Sequence, residues 1–271
     1  MLEINDPLHW PRCSGATYYY RMTRSFASIV ITGASSGIGE ALALDYAQPG
    51  VALALSGRDA GRLKAVADAC RAKGAAVDEA RIDVVDRAAL ALWLTRFDDA
   101  HPVDLLIANA GLSIDNGLSS LDDFSRVRQT MAVNVDGVFN TVEPLVGRMM
   151  ARKRGQIAVM ASLASFIGLP QAASYNASKA AVRVWGESIR YVLKKHGVGV
   201  SVICPGFVST RINANAAFKM PFLMNAATAS VIIRRGLERN KARIAFPIPT
   251  KAAVWLGGLL PGGWTAKLMG A

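Results

Sequence analysis

The 271-residue chain has only three cysteines, Cys13, Cys70 and Cys204, at scattered spacings that make neither a disulfide framework nor a zinc site. A reducing compartment follows, and a cytoplasmic location is expected. Histidine is equally scarce. His9, His101 and His196 fall outside every motif and read as structural or surface residues, so no metal site is expected. No uninterrupted apolar run reaches about 18 residues, which argues against a membrane-spanning helix. Residues 1–27 are mixed and aromatic, without the charged-then-apolar pattern of a secretory signal. Acidic residues nearly vanish from the second half. Residues 1–150 carry 14 basic and 18 acidic side chains, whereas residues 151–271 carry 17 basic and only two acidic ones, Glu187 and Glu238. A half of one sign suits an anionic partner, or it reflects a composition that is also rich in Ala and Gly. What is abundant is apolar: 52% hydrophobic against 19% charged residues, enough for a large core and too much for a disordered chain.

Residues 1–27 read as an extension that either docks on the body or is disordered, with Met22 a second candidate start. From residue 28 the pattern is strand, turn, helix, repeated. Strands are predicted at Ser28–Thr32, Val51–Ser56, Ala80–Val84, Val103–Ala108, Gln156–Ala161 and Val198–Ile203. Helices are predicted at Ile38–Ala47, Arg58–Lys73, Arg87–Phe97, Phe124–Met150 and Ser174–Lys195, with a kink at Pro144 in the fourth. Alternating β and α with short connections means a parallel, doubly wound sheet with helices on both faces, in one domain over residues 28–250. There are no repeats.

The turn Thr32-Gly33-Ala34-Ser35-Ser36-Gly37-Ile38-Gly39 lies between the first strand and the first helix. Glycines there let backbone N–H groups approach a pyrophosphate, and the helix N-terminus adds partial positive charge. The spacing is G-x-x-x-G-x-G rather than the more general G-x-G-x-x-G. An acid that would hold an NAD ribose is expected at the end of the second strand, where Gly57 stands instead, followed by Arg58. Arginine suits a 2′-phosphate, which favours NADP(H) and leaves NAD(H) as the alternative, provided that Asp59 turns its carboxylate away. A solvated helix-start residue is the other reading of Arg58.

Tyr175 and Lys179 are four apart and share a helix face. An ammonium beside a phenol is expected to lower the phenol pKa from about 10, so that Tyr175 can exchange a proton with a carbonyl or alcohol. Ser162, thirteen residues earlier and just past a strand, is placed to bind the same oxygen. Thr32–Gly39, Asn109-Ala110-Gly111, Asn134, Ser162, Tyr175-x-x-x-Lys179 and Pro205-Gly206, in this order, resemble the single-domain branch of the short-chain dehydrogenase/reductase family from residue 28 to about 245.

The resemblance implies a Rossmann-like sheet of about seven strands and a role for each motif. Tyr175 would be the acid/base. Lys179 would hold the nicotinamide ribose, Ser162 would orient the substrate oxygen, and Asn134 would hold a relay water. Gly33, Ser35, Ser36, Gly37, Ile38 and Gly39 would surround the pyrophosphate, and Asp83 and Val84 the adenine. Asn109, Ala110 and Gly111 would flank the cofactor, and Pro205, Gly206, Val208 and Thr210 would meet the nicotinamide. Plainer readings stand beside these: Asn134 as a helix distortion, Asn109 as a support of the sheet, Thr210 as a helix cap. Two departures are visible. Ala108 stands where the family usually has a first asparagine, and the glycine turn lacks the basic residue common in NADP-preferring members.

The implied function is NADP(H)-dependent interconversion of a carbonyl and a secondary alcohol. A reductase of 3-ketoacyl thioesters is one alternative, and a non-catalytic dinucleotide-binding regulator on the same fold is another. A lid over residues 207–230, with Phe207, Phe218, Met220, Phe222 and Leu223, points to an apolar small-molecule substrate. The helices Phe124–Met150 and Ser174–Lys195 resemble the pair through which family members assemble, so a homodimer or homotetramer is expected, and no nucleic-acid partner. Residues 251–271 form an apolar and basic tail, with Trp255, Leu256, Leu259, Leu260 and Trp264, which either packs on the protein or meets a membrane surface.

Overall fold

In a computed structural model, which describes residues 24–113, 124–168, 172–211 and 220–257, seven short strands pair side by side. They are β1 (Ser28–Thr32), β2 (Ala52–Gly57), β3 (Ala76–Arg81), β4 (Leu105–Ala108), β5 (Gln156–Met160), β6 (Gly199–Pro205) and β7 (Arg243–Phe246). All pairs are parallel, and the order across the sheet is β3-β2-β1-β4-β5-β6-β7. The order reverses between β1 and β4, so the loops at the carboxyl ends of these strands diverge and leave a crevice.

The central strands are apolar on both faces because both are covered. In β1, Val30 packs to one side, and Ile29 and Ile31 to the other, as the period-two pleat requires. One layer holds α1 (Gly37–Tyr46), α2 (Ala60–Ala72) and α7 (Ala226–Glu238). The other holds α3 (Arg87–Ala100), α5 (Gly137–Ala151) and α6 (Ala173–Lys194). Asp98 ties α3 to α5. Its buried carboxylate accepts from Arg148 Nε (2.6 Å), Arg152 Nη1 (2.9 Å) and the Val103 N–H (2.8 Å). Burial alone would raise its pKa. The hydrogen bonds from Arg152, Val103 and Arg148 outweigh that and hold the carboxyl below the usual range.

Two predicted elements form differently. The third strand lies at Ala76–Arg81, not Ala80–Val84. It is the sheet edge, half-exposed, so its sequence alternates weakly, and Ile82, Val84 and Val85 belong to the connection beyond it. The long helix Phe124–Met150 is divided into α4 (Phe124–Met131), a π-helical turn Ala132–Asp136, and α5. The break falls at buried Asn134, while Pro144 sits inside continuous α5. The boundary placed at residue 250 falls inside α8 (Ile248–Gly257), which packs on β7 and on the 3₁₀ turn Leu163–Phe166. Most of the N-terminal extension, Phe218 of the lid, and Leu259, Leu260 and Trp264 of the tail lie outside the described residues.

Candidate active site

The first cluster is built by close backbone approach. Gly33 (φ +68°) and Gly37 (φ +62°) turn the chain from β1 into α1. A Cβ on Gly39 would stand 2.3 Å from the Gly33 carbonyl oxygen, and one on Gly33 would stand 2.7 Å from Ala110 Cα. The turns after β1 and β4 are thus pressed together. Asn109 fastens them: its Nδ2 donates to the carbonyls of Thr32 (2.9 Å) and Gly33 (3.2 Å). Thr32 Oγ1 accepts in return from the backbone N–H of Asn109 (3.1 Å) and of Ala110 (3.3 Å). Asn109 is therefore a support of the glycine turn. At the start of α1, Ser36 makes no side-chain cap, whereas Asp59 and Asp86 cap α2 and α3. The first N–H groups of α1 keep their capacity for an anion, and the glycine cradle, with Ser35, Ser36 and Ile38 in it, leaves room for one. These residues fit a pyrophosphate.

At the end of β2, Gly57 faces Ser35: a Cβ on Gly57 would stand 2.9 Å from Ser35 Oγ. Arg58 follows, exposed. Asp59 turns its carboxylate into α2, where it accepts from the Arg62 N–H (2.9 Å) and pairs with the Arg62 guanidinium (2.6 Å). The Arg62 hydrogen bond holds this carboxyl below its ordinary pKa. Arg211 also acts electrostatically on Asp59. This cation near the same corner carried no sequence signal, because the loop bearing it has no motif beyond Thr210. Asp83 and Val84 stand just past β3. Val84 is buried against Gly137, and Asp83 accepts from the Val85 N–H (3.2 Å).

The second cluster lies beyond β4 and β5. Ser162 caps the 3₁₀ turn by accepting from the Ala164 N–H (3.1 Å), and its hydroxyl lies 3.5 Å from the Pro205 carbonyl. It is also hydrogen-bonded to Tyr175. Lys179, one turn along α6, is 3% exposed; its Nζ donates to the Met160 carbonyl (2.9 Å) and lies 5.8 Å from the centre of the Tyr175 ring. Asn134 Nδ2 donates to the Leu112 carbonyl (2.9 Å) and to Ser178 Oγ (3.0 Å), and its Oδ1 accepts from the Leu112 N–H (2.8 Å). A Cβ on Gly111 would stand 3.1 Å from Lys179 Nζ and 3.2 Å from Asn134 Oδ1. A side chain there would crowd both groups, each of which would have to give by a few tenths of an ångström.

The pKa pattern corrects the expectation for Tyr175. Burial pushes the phenol up, and the Ser162 hydrogen bond offsets only part of this. The physical reason is the burial of the phenol itself, and the lysine beside it is desolvated as well. Burial pushes Lys179 down to about 8, and its ammonium is directed at Met160. In this state Tyr175 is a protonated phenol at neutral pH.

The loop after β6 closes the cluster. The Gly206 N–H donates to the Phe246 carbonyl (2.7 Å), Val208 is buried and bridges to Met224, and a Cβ on Gly37 would stand 2.9 Å from the Thr210 methyl. The predicted site residues thus share the carboxyl edge of the sheet. Gly33–Gly39, Arg58, Asp83 and Asn109 lie toward one end, and Gly111, Asn134, Ser162, Tyr175, Lys179 and Pro205 toward the other.

Comparison with known proteins gives a consistent result. A family model described as short chain dehydrogenase matches residues 27–220. An uncharacterized oxidoreductase of Myxococcus xanthus is 37% identical over 234 residues, which is 84% of this chain and 92% of that protein. A short-chain dehydrogenase from Sphingobium yanoikuyae, solved in complex with NADPH, superposes with a TM-score of 0.76 at 26% identity, over 90% of this chain and 95% of that one. A short chain dehydrogenase/reductase from Burkholderia phymatum, solved in complex with NAD, has a TM-score of 0.76 at 28% identity, over 84% and 92%.

The buried lysine has a consequence for stability. Its pKa is lower when folded, about 8, than in an unfolded chain, about 10.4, so between these values the unfolded state binds more protons. Folding stability is therefore expected to rise with pH from about 8 to 10. Chemical denaturation across this range should show a smaller rise in Lys179→Met than in the unmodified protein; equal slopes would contradict the assignment.

Proposed function

The chain belongs to the short-chain dehydrogenase family of oxidoreductases, and from that premise we propose that it interconverts a carbonyl and a secondary alcohol with NADP(H), using Tyr175 as the proton donor and acceptor. The observation that supports this best is the Ser162–Tyr175 hydrogen bond beside buried Lys179, on the same sheet edge as the uncapped glycine turn.

The glycine turn would hold the pyrophosphate, with Asn109 fixing its shape. Val208 and Thr210 would flank the nicotinamide, Asp83 and Val84 the adenine. The nicotinamide cofactor supplies or takes the hydride when bound. The remaining work falls to the chain. In reduction, Ser162 and Tyr175 each donate a hydrogen bond to the carbonyl oxygen and so stabilise the negative charge that develops there. The Tyr175 proton then passes to that oxygen. Lys179 stabilises the phenolate left behind and binds the ribose hydroxyls. Asn134 is a positioning residue: it locks the π-helical turn to Leu112 and Ser178, on the rim where a relay water would sit.

Arg58 supports the preference for NADP(H). No acid stands at Gly57, and Asp59 is occupied in capping α2, so a 2′-phosphate would meet a cation and the Ser35 hydroxyl without a competing carboxylate. Phe207, Met220 and Leu223 support an apolar substrate. α6 exposes Ala181, Val184, Tyr191 and Val192 on one side, which supports assembly into a homodimer or homotetramer through this helix.

Tyr175→Phe is expected to lower kcat by at least about 10³-fold while NADPH binding, read by its fluorescence, is retained; substantial activity in the purified variant would refute the acid/base role. Arg58→Ala should raise KM for NADPH about tenfold or more and leave NADH little changed. Equal kcat/KM for the two cofactors in the unmodified protein would overturn the preference. Light scattering at micromolar concentration should give a dimer or tetramer mass, and a monomer mass would contradict the α6 contact.

A further inference from the structure

α8 is a surface helix turned inside out. Thr250, Val254 and Gly257, spaced i, i+4 and i+7, face the body: each is half-buried, Val254 packs on the core, and Gly257 lies against Ile167. The opposite side carries Ile248, Ala252, Trp255 and Leu256. Ile248 is 79% exposed, Trp255 61% and Leu256 57%. A helix on a protein surface normally shows water its polar side, and contiguous exposed apolar side chains mark a binding face. Lys251 is the one charged residue in the helix.

The loop before α7 exposes two more apolar side chains. Phe222 and Leu223 are 60% and 49% exposed, and Phe222 is held at φ +56°, a conformation that bulky side chains rarely adopt. Both parts spring from one point. The Met224 N–H donates to the Phe207 carbonyl (3.0 Å), next to Gly206. Gly206 in turn donates to Phe246 and faces Pro247, the residue before Ile248. The charge of this part of the chain is of one sign: residues 239–271 contain Arg239, Lys241, Arg243, Lys251 and Lys267 and no acid.

We propose that this face docks on an anionic membrane surface. α8 would lie in the plane of the interface, with Ile248, Trp255 and Leu256 at the boundary of headgroups and acyl chains and Lys251 at the phosphates. Tryptophan and lysine are the side chains that such a boundary favours, and residues 239–271 carry no acid that would oppose it. The contact is peripheral: none of the described residues forms a helix long and apolar enough to cross a bilayer. It is distinct from the α6 surface, and α8 carries no residue assigned to the reaction.

The test is sedimentation of the full chain with vesicles of phosphatidylcholine alone and of phosphatidylcholine with phosphatidylglycerol. The unmodified protein is expected to pellet with the anionic vesicles and much less with the neutral ones, and added salt should weaken the binding. Trp255→Glu combined with Leu256→Glu should reduce pelleting at least tenfold with an unchanged circular dichroism spectrum and an unchanged mass by light scattering. Lys251→Glu, which leaves the apolar face intact, should reduce binding to anionic vesicles alone. The proposal is overturned if the unmodified protein does not pellet, or if all variants pellet equally. A fall in particle mass of the double variant, without vesicle binding by the unmodified protein, would instead assign the face to a second copy of the chain.

Discussion

A lysine ammonium almost removed from water is the constraint around which the site is arranged. Lys179 is 3% exposed, and a buried charge is tolerated only where polar groups replace its hydration. The Met160 carbonyl does so directly, at the end of β5. At Gly111 the absence of a side chain leaves Lys179 and Asn134 uncrowded as they approach from two directions. Asn134 reaches that place because the helix widens into a π-helical turn there, and its amide is then spent on Leu112 and Ser178. Four separate segments are thus held by the need to accommodate one cation. Such a cation is poised to respond when a phenol beside it loses its proton.

The second constraint is steric and sits across the β1–β4 crevice. The glycine turn has no room for side chains at Gly33 or Gly39, and Asn109 bonds it to the end of β4. Because Asn109 and Gly111 are two residues apart, one short loop carries both the support of the anion cradle and the space beside Lys179. The geometry that binds a dinucleotide and the geometry that moves a proton are therefore coupled through the backbone of residues 109–111.

Much of this was legible in the residues. The uninterrupted apolar run ending at Ala108 announced a strand buried on both faces, and the spacing of Tyr175 and Lys179 announced a shared helix face. The ordered motifs announced the family, whereas the turning away of Asp59 was a condition that only its place as the cap of α2 met. The parts that were not legible depend on neighbours distant in sequence. β3 is shifted because an edge strand has no apolar pattern to mark it. The helix breaks at Asn134 rather than Pro144 because Leu112 and Ser178 claim the asparagine. The phenol pKa of Tyr175 moves opposite to expectation because the phenol is itself buried, which no spacing reveals. The helix α8 gave no period of its own because its one inward face, Thr250, Val254 and Gly257, is too small.

The account's central claim is that a neutral Tyr175 gives its proton to the developing alkoxide, with Lys179 sustaining the phenolate. The most direct measurement is the pH dependence of kcat/KM for NADPH-dependent reduction of a carbonyl. The account predicts a plateau at low pH and a fall with unit slope once the Tyr175–Lys179 pair, titrating as a unit, loses its proton, with the opposite dependence for alcohol oxidation. A profile that stays flat through the alkaline range in both directions would contradict it.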